Sequence, residues 1–269
     1  MIRNLLLVIL CLSAMSVSAK DYYERVDSAD IYIARQRWED AERTLKEALR
    51  LEPGNILNSM LLSNLGYVQH SQGKLDEAIE SYNIGLAMTP NSLILKKHRA
   101  NAYIDAGMTD EAYEDLADGI KIDPNDIECR NKHGLIALAK GELDVAKADF
   151  ETILKNDAST TEGLLGMTIW ADYSGDYPTA IEYITQLIDK EHRAENYFTR
   201  ALLYVKTNNL PAADDDVREG LKIDNRYGDL YLIRAYLHKL RYRNEEAEID
   251  KKLAIEYNAD AQLIQQLFP

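Results

Sequence analysis

Leu62 to Pro90 reads LSNLGYVQHSQGKLDEAIESYNIGLAMTP, and the spacing within it decides the fold. Leu62, Leu65 and Gly66 fall at helical intervals. Gly73 interrupts, and Ala78, Tyr82 and Gly85 begin a second helix-period run that Pro90 closes. Gly73 reads as the hinge between two helices, and Ala78 sits where a side chain larger than methyl would hold them apart. Further alanines of the same kind are Ala41, Ala112, Ala146, Ala180, Ala213 and Ala247, so that neighbours in the series stand 37, 34, 34, 34, 33 and 34 residues apart. A period near 34 with two helices per unit is the mark of a helical-repeat solenoid, in which each unit buries its apolar face by stacking on its neighbours.

Seven repeats begin near Tyr22, Ser59, Leu93, Ile127, Thr161, Ala194 and Gly228. Counted from those residues, position eight reads Ala29, Gly66, Ala100, Gly134, Thr168, Ala201 and Ala235, and position twenty is alanine throughout. Small residues facing each other let the two helices approach, and a larger one would overpack by about 1–3 kcal/mol. Position twenty-four reads Leu45, Tyr82, Leu116, Phe150, Ile184, Val217 and Lys251, an apolar filler in all but the last repeat. Gly73, Gly107, Gly141 and Gly175 stand where a helix ends in a left-handed residue. Three positions later come Glu39, Asp76, Asp110, Asp144, Pro178, Pro211 and Glu245, residues suited to the first turn of a helix, so this column predicts every second-helix start. Pro53, Pro90 and Pro124 close the first three repeats, and Ala158, His192, Asn225 and Ala259 replace the proline later. These residues resemble the tetratricopeptide repeat (TPR), over nearly the whole chain after residue 21. The resemblance implies an all-α, right-handed superhelical solenoid whose activity is binding.

The expected organisation is a signal peptide over 1–19 and a TPR solenoid over 20–269. Its repeats lie near 22–58, 59–92, 93–126, 127–160, 161–193, 194–227 and 228–259, with a capping helix at 260–268. In the cap, Ala261, Ile264, Leu267 and Phe268 are expected to face the last repeat and Gln262, Gln265 and Gln266 to face water. Met1 to Ala19 has Arg3 before an apolar run from Leu5 to Leu12 and a small-residue cleavage site at Val17-Ser18-Ala19, the pattern of a secretory leader. It is too short and wrongly flanked for a membrane span, and Cys11 lacks the small residues of a lipid-anchor site. Export to a bacterial periplasm or cell envelope is the expectation, with an extracellular or secretory-lumen location as the alternative. The mature chain keeps one cysteine, Cys129, so it forms no internal disulfide.

The formal charge is −14, and removing residues 1–19, whose only charge is Arg3, takes it to −15. Such a surface repels phosphate backbones and anionic headgroups, so nucleic acid and membrane surfaces are not expected partners, and a basic or neutral partner is favoured. The same acidity also keeps an elongated surface soluble.

Catalytic patterns are missing. The chain has no phosphate-cradling glycine loop, no Gly-x-Ser-x-Gly elbow and no His-Glu-x-x-His pair, and no enzyme activity or cofactor is expected. The run Asp214-Asp215-Asp216 lies on a helix, where successive side chains fan apart, and reads as a solvated face rather than a cation site. Cys129 and His133, four apart on a helix, share a face that His98 could approach. That is at most a three-ligand set, and it reads as a buried thiol beside an ordinary histidine.

In TPR proteins the first helices line a concave groove, with positions five, nine and twelve among those facing in. Here the resemblance puts Lys97, Asn101, Asn131, Leu135, Leu138, Leu165, Ile169, Phe198, Leu202, Val205, Leu232 and Tyr236 in a partner-binding groove. Repeats two and three are polar to amphipathic there, and repeats four to seven are apolar. Lys97 and Asn101 match the first pair of a clamp that holds a peptide's terminal carboxylate in some TPR proteins. The next repeat offers Lys132, with Asn131 one place early, and the third has Glu162 and Gly166 where cations should stand, so the clamp is incomplete. The apolar run is suited either to seating a partner segment or to packing against the adjoining first helix. The leading expectation is a non-enzymatic, exported scaffold binding a protein or peptide in the groove. A holdase-like chaperone or cochaperone is the alternative, an uncharacterised envelope enzyme comes last, and self-association is a further use for an exposed apolar strip.

Overall fold

The computed structural model describes residues 20–268, and the expected signal peptide lies outside them. The regular structure of the described residues is entirely helical. A helix over residues 20–34 (α1) is followed by α2 (Trp38–Leu51), α3 (Asn58–Ser71), α4 (Leu75–Met88), α5 (Leu93–Asp105), α6 (Thr109–Ile122) and α7 (Ile127–Ala139). Then come α8 (Leu143–Asn156), α9 (Thr161–Ser174), α10 (Tyr177–Lys190), α11 (Ala194–Lys206), α12 (Leu210–Ile223), α13 (Gly228–Leu240), α14 (Asn244–Glu256) and α15 (Ala261–Leu267). The chain is an all-α helical-repeat solenoid in which helices consecutive in sequence pack on one another. It divides into two compact units, residues up to Cys129 and residues from Arg130 onward.

Each hinge is built the same way. The backbone N–H of the residue after the hinge bonds a carbonyl five residues back, as from Lys74 to Gln69 (2.9 Å) and from Asn209 to Tyr204 (2.8 Å), which requires a left-handed hinge residue. Gly73, Gly107, Gly141 and Gly175 fill that place with φ of 74° to 78°. Gln36, Asn208 and Tyr242 take the same conformation, with φ of 55° to 60°, in the repeats that lack the glycine. Glu39, Asp76, Asp110, Asp144, Pro178, Pro211 and Glu245 are each the second residue of a helix, where acid faces the positive dipole end and proline leaves no donor unpaired.

The position-twenty alanines are buried in every repeat. What faces them is matched by size. A Cβ added at Gly66 would stand 2.3 Å from the Tyr82 ring, and one at Gly134 would stand 2.9 Å from the Phe150 ring. Glycine is thus present where position twenty-four is aromatic. Where that position is Leu45, Leu116, Ile184 or Val217, position eight is Ala29, Ala100, Thr168 or Ala201, all buried. Gly166, one repeat on, also makes room for Phe150, since its Cβ would come within 2.2 Å of that ring.

In unit 1, Tyr22 and Ala29 of α1, Leu45 of α2 and Leu61 and Leu65 of α3 form one core cluster. In unit 2, Leu164, Ile184, Leu187 and Leu203 tie α9, α10 and α11 together, and Ala201, Val217, Leu230 and Leu237 do the same for α11, α12 and α13. α15 is applied to the end of unit 2 without a fully buried residue. Leu267 packs on the core, Phe268 lies edge-on to Tyr236, and Lys239 and Lys251 cover the Phe268 ring. Ala261 is exposed rather than facing inward, and Leu263 takes the half-buried place beside Ile264.

Polar clamps reinforce the helix pairs. Arg99 grips Asp115, Arg200 grips Asp216 and Arg234 grips Asp250, each through two hydrogen bonds of 2.6–2.9 Å and each across 16 residues. Arg99 also donates to Asn83 (2.6 Å) and Arg200 to Thr185 (3.0 Å), so each ties its own helix pair to the second helix of the repeat before. In the fourth repeat Asp149 takes Arg130 (2.7 Å) and His133 (2.6 Å) instead. These bonds hold the three guanidinium groups above their ordinary proton affinity, against the opposing effect of burial. This corrects the reading of Asp214-Asp215-Asp216 as one solvated face. Asp216 is buried on Arg200, Asp215 reaches Arg218 on the surface, and Asp214 bonds Arg241, because the three side chains point about 100° apart around α12.

Candidate functional site

The first helices present the candidate residues in both units, and burial sorts them. In unit 2, Leu138 and Leu232 are fully buried and not open to a ligand. Ile169, Phe198, Leu202, Val205, Tyr236 and Asn131 are half-buried. Phe198, Leu202 and Val205 pack on the core of their unit, Phe198 also meets the Tyr227 ring, and Tyr236 lies beside Phe268. The physical reason is that consecutive first helices touch, as α11 and α13 do, and consume much of this apolar surface. Leu135 and Leu165 remain the open members, at 38% and 37% exposure. The apolar strip is therefore narrower than its residue types suggest.

In unit 1, Lys97 and Asn101 stand on α5 as expected, but their bonding is turned toward acid. The Lys97 ammonium lies 2.9 Å from Asp126 and 2.7 Å from Glu128, and Asn101 donates to Glu128 at 3.3 Å. Burial pulls the Lys97 proton affinity down, but the bonds to Glu128 and Asp126 outweigh it and hold the ammonium above its ordinary value. The cation that would meet a peptide's terminal carboxylate is already neutralised by two carboxylates. Of the remaining clamp positions, Glu162 is exposed and Gly166 is required by the Phe150 ring.

Position two of the repeats escaped the sequence reading. It carries Tyr23, Met60 and Ile94 in the first three repeats, and all three are exposed, as is Tyr67 at position nine. Their exposure left no trace in composition, but an apolar residue at the same place in three successive repeats outside the core columns was the available signal. Tyr67 meets Trp38 edge-on at 5.9 Å and tilts over His98 at 6.2 Å. His98 bonds Ser63 (3.2 Å), and His70 bonds Asp105 (2.6 Å).

Cys129 is a free, fully buried thiol. Burial, and then the charge of Asp126, pushes it up to about 12, far from the thiolate form needed for nucleophilic or metal chemistry. Its sulfur packs against Gly119, where an added Cβ would come within 2.7 Å. His133 is committed to Asp149. Among the described residues, no group of three or more His, Cys, Asp and Glu is disposed to hold a metal ion. Among the same residues, no helix is long and apolar enough to cross a membrane.

Comparison with known proteins agrees with this geometry. The tetratricopeptide-repeat signature matches residues 26–93 and again 98–126. The chain is similar to a tetratricopeptide repeat protein from Parabacteroides merdae, with 28% identity over 92% of this chain and 97% of that one, at a TM-score of 0.76. The fold is also shared with PilF of Pseudomonas aeruginosa, 17% identical over 81% of this chain and 98% of that one, at a TM-score of 0.65. It is shared as well with YrrB, described as a TPR protein with an unusual peptide-binding site, 12% identical over 69% of this chain and 95% of that one, at a TM-score of 0.57. No curated protein matches the sequence. With the repeat signature in unit 1, and a repeat-protein likeness that runs through almost the entire chain, the chain belongs to the tetratricopeptide-repeat proteins.

Proposed function

We propose that this chain is a non-enzymatic scaffold that binds a protein or peptide on its first-helix faces and works in a bacterial cell envelope. One observation carries the binding reading. The first helices keep Met60, Tyr67, Ile94, Leu135 and Leu165 open to solvent, three of them on the neighbouring helices α3 and α5. A ligand segment laid on the first helices of either unit would cover apolar surface that the fold leaves wet, and apolar contact is the main source of affinity for such segments. The export reading rests on the charged start, apolar run and small-residue site of Met1 to Ala19.

The test is a pull-down from native envelope extract with the mature chain and with Leu135→Asp/Leu165→Asp and Met60→Asp/Ile94→Asp variants. These residues are exposed, so helical circular dichroism should be unchanged. A dominant partner lost in either variant supports a dedicated scaffold. Many unrelated proteins, together with suppressed aggregation of an unfolded client, would instead support the holdase alternative. Capture unaffected by both variants removes the first-helix faces from the account. Fractionation of the native cell tests export, and retention with an uncleaved leader in the cytoplasm would refute it.

A further inference from the structure

The first-helix face of unit 1 sets open apolar side chains beside an excess of carboxylate, with Asp126 and Glu128 sharing the single ammonium of Lys97. Ile94, 61% exposed, borders two recesses. One, of about 130 Å³, also has Met60 (64% exposed) and Asn64 on its walls. The other, of about 350 Å³, has Tyr67, Lys97 and Glu128. Asn64 leads outward to Asp30, donating to its carboxylate at 3.5 Å. Neither Asp30 nor Asp27, one turn before it, has an ion-pair partner among the described residues, and partial burial followed by the charge of Asp27 raises the proton affinity of Asp30.

Among the described residues Lys97 is the only lysine or arginine bordering either recess, and Asp126 and Glu128 already neutralise it. His70, the neighbour at the far wall, faces Asp105. Tyr82 also borders the larger recess. It is fully buried, so it backs the recess without presenting a donor to it. An acidic segment laid here would meet no free cation and would strip water from Asp30 and Glu128 as well. A basic segment would supply the missing charge.

We infer that the first-helix face of unit 1 takes a short segment in which lysine or arginine alternates with apolar residues. Its apolar side chains cover Met60 and Ile94, and its cations reach Asp30 and Glu128 with an aliphatic stem or guanidinium across the Tyr67 ring. This assignment rests on the scaffold reading and adds the chemistry of the partner, opposite in sign to a terminal-carboxylate ligand.

The test is calorimetric titration of the purified chain with three synthetic peptides of about 12 residues, in which leucine alternates with lysine, glutamine or glutamate. The lysine peptide should bind about tenfold more tightly than the glutamine peptide, with an advantage that shrinks as salt rises, and the glutamate peptide should not bind. Asp30→Asn, at an exposed residue without an ion pair, and Asp30→Asn/Glu128→Gln should each reduce that advantage and leave the glutamine peptide's affinity and the helical spectrum unchanged. Equal binding of all three peptides, or tighter binding of the glutamate peptide, overturns the basic assignment and leaves the scaffold reading standing. A lysine advantage untouched by both variants overturns it too, as attraction to the acidic surface at large. Failure of all three peptides to bind overturns this site together with the use of this face.

Discussion

Gly66→Ala tests the packing logic of the repeat most sharply, because alanine is the better helix former and should stabilise an unconstrained helix. Relative to glycine it adds about 1 kcal/mol of helix propensity. Against that, its Cβ would stand 2.3 Å from Cε1 of Tyr82 and 2.7 Å from Cδ1 and Cζ of the same ring. The Tyr82 ring is fully buried, so ring and helix must give way, at about 1–3 kcal/mol and at the upper end for so close an approach. The net expectation is a loss of about 1–2 kcal/mol in chemical denaturation followed by circular dichroism. In a Tyr82→Leu background the site takes the combination that Ala29 with Leu45 and Ala100 with Leu116 already use, and Gly66→Ala should become neutral or stabilising. The coupling energy from the double-mutant cycle should therefore be about 2 kcal/mol. Gly66→Ala with the same effect in both backgrounds would refute size matching between the two positions.

Three other outcomes follow from the same structure. Tyr242→Gly should stabilise the chain by about 1 kcal/mol in the same denaturation assay, because Tyr242 is 90% exposed and holds φ of 60° at a hinge where other repeats use glycine. No gain would mean that the left-handed hinge is not strained. Arg200→Met should cost about 3–5 kcal/mol by leaving Asp216 buried and unpaired, whereas Arg200→Met/Asp216→Leu should recover most of it, and a double variant as damaged as the single one would count against the clamp. Glu42 is pushed up by burial but held down more strongly by bonds from Lys46, Lys74 and Gln72, to about 2. Its folded-state value lies below its unfolded one, so the stability it contributes is full above the unfolded value and is lost as pH falls from there toward about 2. Parent and Glu42→Gln should then differ by about 1–2 kcal/mol at neutral pH, after allowing for solvent screening of the half-exposed lysines, and converge in acid. A pH-independent difference would contradict that assignment.

The helix pairs were legible because steric columns are local facts of the sequence. An alanine every 34 residues, and an acid or proline at the second residue of each second helix, need no knowledge of the neighbours. The hinges were legible only where glycine marks them; Gln36 and Tyr242 adopt the left-handed conformation because the surrounding hydrogen bonds impose it. The arginine clamps were present as an Arg–Asp spacing of 16 in three repeats, but an acidic residue on a helix reads as solvated until its partner is in place. The site was the least legible part. Residue type identified Leu232 and Leu138 as apolar, but whether a neighbouring helix covers them is decided by packing. Lys97 matched a carboxylate-holding position, yet Asp126 and Glu128, about 30 residues on, reverse its meaning.

Site-specific photo-crosslinking in the native cell tests the central claim, that partners dock on first helices, most directly. A photoreactive residue at Met60 on α3 is compared with one at Ile84 on α4, since both are exposed and apolar and differ mainly in which helix of the pair presents them. The account predicts discrete adducts from Met60 and few or none from Ile84. Adducts confined to Ile84, equal yields from both, or none from Met60 would contradict it.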